Sequence, residues 1–268
     1  MLRLAELRFP EVEALARAGR ALVIVPVGSV EEHGVHLPLG LDTVGAEVYA
    51  ETAAPHLERE GYTVVLAPAI PYGVARPGLS FPGTLTLEPA TLRALVVDIG
   101  RSLARHGLTR QVIFNGHRDL AHMGALEDGA RTLVAEGTAQ VVCVGFVTDR
   151  ATLRAFLQEG MEGYSRSARP DREAHGGEWE TSLALYRIPE QVDQEAARRL
   201  EPNLDYDVEG FHSETQDYWT LTGGRGYFGS PAVATAETGR TLLEVRSRNL
   251  AGVILRALGS PPWAGAGT

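Results

Sequence analysis

Three short segments of this 268-residue chain combine histidine with carboxylate residues, and the first contains Glu31, His33 and Asp42. Imidazole nitrogens and carboxylate oxygens are the usual protein ligands of Zn²⁺ and Mn²⁺. Because side chains alternate along an extended segment, Glu31 and His33 are expected to point the same way. Gly34 disfavours a helix here, so the segment differs from the helical H-E-x-x-H motif of zincins. We therefore consider Glu31, His33 and Asp42 as candidate metal ligands.

The second segment contains His117 and Asp119, directly after the turn dipeptide Asn115-Gly116. A turn at this point exposes His117 where a strand meets the next helix. The alternative is an ordinary capped turn without metal. Asp42 has a similar alternative, because it precedes a predicted helix and is a suitable N-cap residue.

In the third segment, His175 is followed by two glycines and then by Glu178 and Glu180. Glycine permits close approach of the backbone. The alternative is structural, since acidic residues at a helix N-terminus complement the helix dipole. Three such segments in a chain with eight histidines indicate one shared site better than coincidence does.

The elements that must position these residues follow from hydrophobic patterning. Continuous apolar runs predict buried strands at Ala21–Val27, Tyr62–Ala67, Gln111–Asn115 and Gln140–Val147. Helical spacing predicts helices at Val44–Glu60, Glu88–His106, Leu120–Glu136, Asp149–Gly160, Glu178–Tyr186 and Ala232–Leu258. This alternation predicts right-handed βαβ crossovers and an α/β fold with a mostly parallel sheet. There is no internal repeat or long linker, so we expect residues 1–268 to form a single domain.

Two of the predicted strands end in the segments described above. Ala21–Val27 leads to Glu31 and His33, and Gln111–Asn115 leads to His117. In parallel sheets, active sites lie beyond the carboxyl ends of the strands. The two strand ends therefore predict one pocket that holds both segments.

Composition excludes several classes of function. The formal net charge of −9 disfavours a nucleic-acid partner. No run of about 18 apolar residues is present, so no membrane span is expected. The N-terminal segment has no uninterrupted apolar core, which leads us to expect a cytoplasmic protein. Cys143 is the single cysteine, so neither an internal disulfide nor a multi-cysteine metal site can form.

Several blocks, in order along the chain, resemble the creatininase (creatinine amidohydrolase) family. The blocks are Val25–Gly34 with Asp42, Phe81–Thr84, Asn115–His117, His175–Ser182, Gly229–Pro231 and Ala234–Glu237. The resemblance implies a single three-layer α/β/α domain with a mostly parallel sheet and two divalent metal ions, often Zn²⁺ and Mn²⁺. It implies that Glu31 and His117 bind one metal, that His33 binds the other, and that Asp42 bridges them. Asp119 stands where creatininase has its remaining ligand, a glutamate.

The resemblance also assigns the third segment. Glu178 matches a family acid and is a second candidate ligand or base, and His175 matches a histidine proposed to shuttle protons. Relatives are commonly hexamers, so the resemblance implies a homo-oligomer. Ala174 stands where creatininase has a glutamate, and Ser230 where relatives have an aspartate, so the substrate stays open.

The expected reaction is metal-assisted hydrolysis of an amide-like C–N bond in a small molecule. Two cations would lower the pKa of a bound water, and His175 or Glu178 would pass a proton to the departing nitrogen. Arg76 and Arg118 are candidates to bind an anionic group of the substrate. The alternatives are a deformylase acting on a formamidopyrimidine ribotide, a peptidase of the mycofactocin-maturation type, and a metal-free scaffold or binding protein.

Overall fold

The computed structural model describes residues 1–157, 163–207 and 217–259. Its centre is a five-stranded sheet with the order β1-β3-β2-β4-β5, in which every neighbouring pair is parallel. The strands are β1 (Leu2–Arg3), β2 (Ala21–Val27), β3 (Thr63–Leu66), β4 (Arg110–Asn115) and β5 (Gln140–Gly145). The predicted α/β fold with a mostly parallel sheet is confirmed. The two-residue strand β1 was not predicted, because it is too short to show a pattern.

The helices in the described ranges connect and flank these strands. They are α1 (Phe9–Ala18), α2 (Leu41–Arg59), α3 (Pro89–Arg105), α4 (Leu120–Ala135), α5 (Arg150–Leu157), α6 (Glu178–Arg187), α7 (Gln194–Arg199), α8 (Tyr218–Thr222) and α9 (Ala236–Gly259). Residues 158–160 of the predicted helix Asp149–Gly160 lie outside the described residues. None of the described helices combines the length and the apolar character that crossing a membrane requires.

Each face of the sheet is covered by helices. Leu22 and Ile24 of β2 point into a core formed with α2, α5, α6 and α9. Val23 and Val25 point to the opposite face, where α3 and α4 cover the sheet and α1 packs at the margin. Since successive residues of a strand face opposite sides, both sides of β2 must be apolar. This arrangement explains why the strands have continuous apolar runs.

The strand order produces a crevice at the carboxyl ends of two neighbouring strands, β2 and β4. From β2 the chain passes through α2 to β3 on one side, whereas from β4 it passes through α4 to β5 on the other side. Connections that diverge in this way leave a crevice beyond the carboxyl ends of β2 and β4. Val27 pairs in register with Asn115, so the segments that follow the two strands begin side by side.

Candidate metal centre

The segment after β2 is folded back onto the start of α2. A Cβ atom at Gly28 would lie 2.5 Å from the backbone nitrogen of Thr43, so only glycine allows this close contact. The backbone N–H of Glu31 donates to the carbonyl of Leu39 at 3.0 Å and closes the loop. Glu31 is thereby held beside the first helical turn, which contains Asp42.

The segment after β4 is fixed by the side chain of Asn115. Its Oδ1 atom accepts a hydrogen bond from the backbone N–H of His117 at 2.9 Å, and its Nδ2 atom donates to the carbonyl of Phe146 at 2.8 Å. A Cβ atom at Gly116 would lie 2.8 Å from the carbonyl oxygen of Asp42. The sequence Asn115-Gly116-His117 therefore turns the chain and places His117 against α2.

The third segment reaches the same place from a different part of the chain. The backbone of Phe228 accepts from Ala174 at 3.1 Å and donates to His175 at 2.7 Å. Gly176 has φ +65°, and a Cβ atom there would lie 3.1 Å from the carbonyl oxygen of His33. The glycine allows the loop before α6 to contact the segment after β2.

These contacts bring the side chains of all three segments together. Three groups of ligand atoms each lie within 4.8 Å of one another: Glu31, His33 and His175; Glu31, Asp42 and His117; and His33, Asp42 and Glu180. Every member is buried except Glu180, whose side chain is 30% exposed. The structure thus gathers the predicted ligands Glu31, His33, Asp42 and His117 into one cluster.

Asp42 lies between two histidines and directs a different oxygen to each. Its Oδ1 atom is 3.3 Å from Nε2 of His33, and its Oδ2 atom is 2.9 Å from Nδ1 of His117. Oε1 of Glu31 is also close to His117, at 3.2 Å from Nδ1. A carboxylate whose two oxygens face different ligand groups is suited to bridge two cations.

The three imidazole rings are oriented by backbone carbonyls. One nitrogen of His33, His117 and His175 bonds to the carbonyl of Glu31, Val74 and Glu32, respectively, at 3.0, 2.8 and 2.5 Å. A carbonyl oxygen can only accept, so that nitrogen carries the hydrogen. In a neutral ring, the other nitrogen then presents its lone pair to the carboxylates. This is the arrangement found for metal-binding histidines.

The electrostatics of the cluster also favour a cation. Burial lowers the pKa of His33, but the charges of Asp42 and Glu180 outweigh it and raise the pKa to about 10. Burial likewise lowers the pKa of His117, but Glu31 and Asp42 raise it well above its ordinary value. Among the described residues, Nε2 of His33 and Oδ2 of Asp42 are buried without a hydrogen-bond partner. The residues present therefore fit divalent metal ions, which would replace protons at these nitrogens.

Two of the ligands predicted from sequence, Asp119 and Glu178, make other contacts in the structure. Asp119 is the N-cap of α4, and its Oδ1 atom accepts from the backbone N–H of His122 at 2.8 Å. The Glu178 carboxylate accepts from the backbone N–H groups of Arg166 at 2.7 Å and Ser167 at 3.2 Å. Neither Asp119 nor Glu178 belongs to the three groups of ligand atoms.

Glu180, two residues after the predicted candidate Glu178, belongs to the cluster. Residues two apart on an α-helix point about 200° apart, so Glu178 and Glu180 face opposite sides of α6. Glu180 Oε2 accepts from the backbone N–H of Gly176 at 2.7 Å and lies 3.8 Å from Nε2 of His33. The helical period shows that only one of the two acids can face the crevice, but it does not show which one.

A cleft opens over the cluster and is lined by acids, aromatic rings and two arginines. The aromatic side chains are Phe146, Trp179 and Tyr218, and the arginines are Arg118 and Arg246. Arg76 instead pairs with Glu88, at 2.6 Å, on the surface. The parallel sheet is flanked by helices and has carboxylates and histidines clustered at its crevice. This combination defines the class of protein, an α/β protein suited to bind divalent metals.

Comparison with known sequences identifies the family. The Creatininase family model, described as creatinine amidohydrolase, matches residues 5–254. The chain is 32% identical to creatinine amidohydrolase of Pseudomonas putida, over 93% of this chain and 94% of the relative. It is 30% identical to the mycofactocin precursor peptide peptidase of Mycobacterium tuberculosis (strain CDC 1551 / Oshkosh), over 82% and 79%.

Solved structures agree with the sequence comparison. A structure titled "Creatininase Mn" has a TM-score of 0.73 and 31% identity, and the match covers 97% of this chain and 99% of that one. A variant creatininase of Zn-Zn type has a TM-score of 0.71 and 31% identity, with 96% and 98% covered. The chain belongs to the creatininase family and is a hydrolase that acts on carbon–nitrogen bonds.

Proposed function

We propose that this hydrolase binds two divalent cations, Zn²⁺ and/or Mn²⁺, and cleaves an amide, cyclic amide or formamide C–N bond of a small molecule. The observation that carries the proposal is the position of Asp42, which belongs to two of the three ligand groups. With Glu31 and His117 it would hold one cation, and with His33 and Glu180 it would hold the other. The Mn and Zn-Zn creatininases named above support this choice of metals.

Bound divalent cations supply a water activated near neutral pH and a Lewis acid for the substrate carbonyl. His175 is the residue best placed to carry a proton. Its ring stacks on that of His33, with centroids 4.2 Å apart, and its Nδ1 atom lies 3.4 Å from Oε1 of Glu31. Because its Nε2–H is held by a backbone carbonyl, Nδ1 is the atom at which a proton can be taken up and passed to the departing nitrogen.

Glu178, the other residue considered for proton transfer, has no such access. The hydroxyl of Ser165 and the backbone of the following two residues occupy its carboxylate oxygens. We therefore propose that Glu178 supports the loop before α6 and that His175 alone transfers the proton.

The substrate class is supported by the family and not by one relative. Creatinine amidohydrolase and the mycofactocin peptidase have similar identity to this chain, 32% and 30%. A peptidase activity of the second type is therefore the alternative. Deformylation of a formamidopyrimidine ribotide is a further reaction of the same chemistry and belongs in the same assay panel.

The proposal is tested by metal analysis combined with that assay panel. Protein reconstituted with Zn²⁺ or Mn²⁺ should bind two equivalents and hydrolyse at least one of creatinine, formamides or short peptides. Asp42→Ala should lose both metal and activity, whereas Asp98→Ala, at an exposed position on α3, should keep them. Retention of both metals and activity by Asp42→Ala would contradict the bridging role, and a wild-type protein without metal would favour a scaffold.

We also propose a homo-oligomeric assembly, on the basis of the family resemblance. Sedimentation velocity measures the assembly directly, and a monomer at micromolar concentration would contradict it.

A further inference from the structure

A second, smaller cavity, which we call the inner chamber, lies directly behind the cleft. Its volume is about 40 Å³. Five side chains line both the cleft and the inner chamber, namely those of Asp42, Phe146, Trp179, Glu180 and Arg246. The inner chamber therefore borders the two carboxylates, Asp42 and Glu180, that are proposed to hold the second cation.

The inner chamber opens towards the cleft. Among the described residues that line it, those not shared with the cleft are buried, except for the half-buried Gly116 just before His117. The shared side chains of Phe146, Trp179 and Arg246 instead keep part of their surface exposed. A cavity can open only where its lining has exposed surface. The mouth of the inner chamber therefore lies between the side chains that it shares with the cleft.

Away from its mouth, the wall of the inner chamber is largely apolar. It includes the side chains of Leu41 and Leu242 and the rings of Phe114 and Phe156, which meet edge to face with centroids 5.8 Å apart. A water molecule needs about 10–15 Å³, so the space suits about three groups of that size. Water finds few hydrogen-bond partners against such a wall, so a small apolar group displaces it favourably.

Trp179 is fixed at the mouth of the inner chamber. It lies in the first turn of α6 between Glu178 and Glu180, whose carboxylates both accept hydrogen bonds from the loop before the helix. Cζ of Arg246 lies 5.7 Å from the centre of the Trp179 ring, which holds its outer side. A ring held in this way sets a firm limit on the size of the group that can enter.

The position of His175 gives the direction in which a substrate would lie. His175 lines the cleft but does not belong to the described lining of the inner chamber. The departing nitrogen must face His175 if that residue passes a proton to it. The acyl side of the scissile bond then faces Asp42 and Glu180, and beyond them the inner chamber.

We propose that the inner chamber binds the acyl substituent of the substrate, which is the group attached to the carbonyl carbon. The substrates are then amides that carry a compact apolar acyl substituent of up to about three carbon atoms. Pockets of this kind select by size, because each methylene group that enters contributes to affinity and the next one clashes. This inference rests on the proposed metal-dependent function, since the metals and His175 set the direction of the substrate.

The test uses hydroxamates, which bind divalent metals through two oxygen atoms and carry an acyl substituent on the carbonyl carbon. Calorimetry on Zn²⁺-reconstituted protein measures the dissociation constants of formo-, aceto-, propiono-, butyro-, valero- and benzohydroxamate. Each carbon added, up to about three, should strengthen binding about fourfold. The pentanoyl and benzoyl compounds should bind more weakly than the best of the shorter ones.

Two variants should move this optimum in opposite directions. Outside its own helix, a Cβ atom at Gly45 would have only Cδ2 of Leu183 within 4 Å, at 3.7 Å, so Gly45→Ala fills part of the inner chamber without displacing a neighbour. Its optimum should be about one carbon shorter. Leu242→Val removes one carbon from the wall and should lengthen the optimum by about as much. Gly124→Ala, in α4, has open space around the new methyl group and should keep the wild-type optimum.

Two results would overturn the inference: affinity that does not depend on the acyl substituent, or an optimum that moves in neither Gly45→Ala nor Leu242→Val. The second result would mean that the substituent lies in the open cleft. Thermal unfolding and metal content are measured on each variant to confirm that it is folded and loaded. A loaded protein without dependence on the acyl substituent contradicts only the inference, whereas a wild-type protein that binds no metal contradicts the proposed function as well.

Discussion

Nδ1 of His117 lies 2.9 Å from Oδ2 of Asp42, although one residue follows β4 and the other lies in the first turn of α2. The Nε2–H group of His117 is committed to the carbonyl of Val74, so Nδ1 of the neutral ring faces the carboxylate with its lone pair. Two electron-rich atoms at this distance repel unless a proton or a metal ion lies between them. The same pair therefore explains the raised pKa of His117 in the metal-free protein and its suitability as a metal ligand.

The metal-free protein should lose stability as the pH rises above neutrality. Asp42 and Glu180 outweigh burial and raise the pKa of folded His33 to about 10, from an ordinary value of 6.5. A raised pKa contributes stability that is complete below pH 6.5 and is lost as the pH rises through about 10. The Tm of chelator-treated protein should therefore fall across this window. Zn²⁺-loaded protein should show a smaller fall, because the metal replaces the proton.

Differential scanning calorimetry at several pH values measures both forms of the protein. Ionisation of groups outside the cluster affects the two forms alike. The difference between their Tm values therefore reports the contribution of the cluster. A metal-free Tm that rises over the window, or two parallel curves, would contradict the assignment.

The two acids of α6 should give opposite results when each is changed to glutamine. Glu180→Gln removes a charge that faces His33, so the protein should fold normally but bind about one metal equivalent less. Glu178→Gln replaces a buried carboxylate that accepts from the loop before α6, and should cost about 1–3 kcal/mol of unfolding free energy while both metals are retained.

Urea unfolding and metal stoichiometry, measured on both variants, provide the comparison. Each variant is the control for the other, because the two substituted residues lie within one turn of α6 but on opposite faces of the helix. Loss of metal from Glu178→Gln without loss of stability would restore the ligand assignment made from sequence.

Much of the site could be predicted because the continuous apolar runs in the sequence mark where the strands end. The apolar runs locate the ends of β2 and β4, and in-register pairing of Val27 with Asn115 then brings the following segments together. The N-cap bond of Asp119 to His122 was foreseen only as an alternative, since the sequence does not show whether a side chain turns to its own helix or to the cleft. For the same reason, the sequence does not show that Glu180 faces the cleft and Glu178 does not.

Elements that were missed have weak patterns for physical reasons. Helix α1 has no buried residue, and its contact with the core on this side of the sheet is made by the partly buried Val12 and Leu15. Helices α7 and α8 have six and five residues, which is little more than one turn. Such elements depend on tertiary contacts, and a single sequence gives little indication of them.

Gly73→Ala should weaken metal binding although residue 73 is not a ligand. A Cβ atom there would lie 2.5 Å from Nδ1 of His122 and 2.8 Å from the carbonyl oxygen of Gly28. The neighbouring Val74 donates its N–H to His122 at 3.1 Å and accepts from His117 at 2.8 Å, so relief of the clash must displace the group that orients His117.

Loss of such an outer contact typically lowers metal affinity about 10- to 100-fold. Competition with a chelator of known Zn²⁺ affinity measures the change. Gly124→Ala is the matched control, because nothing lies within 4 Å of a Cβ atom at that position in α4. Equal affinities for the two variants would show that the Val74 carbonyl does not control the orientation of His117.

His175→Gln should separate proton transfer from metal binding. The cluster contains two ligand groups that do not include His175, namely Glu31, Asp42 and His117, and His33, Asp42 and Glu180. We therefore expect the variant to keep both metal equivalents, while kcat falls about 10²- to 10⁴-fold, as for the loss of a general acid or base. KM should change little, and the limb of the pH–rate profile that reports this group should disappear. His106→Gln, an exposed histidine after α3, should leave the profile unchanged. If His175→Gln instead loses one metal equivalent along with its activity, His175 is a metal ligand together with Glu31 and His33. Another residue must then carry the proton.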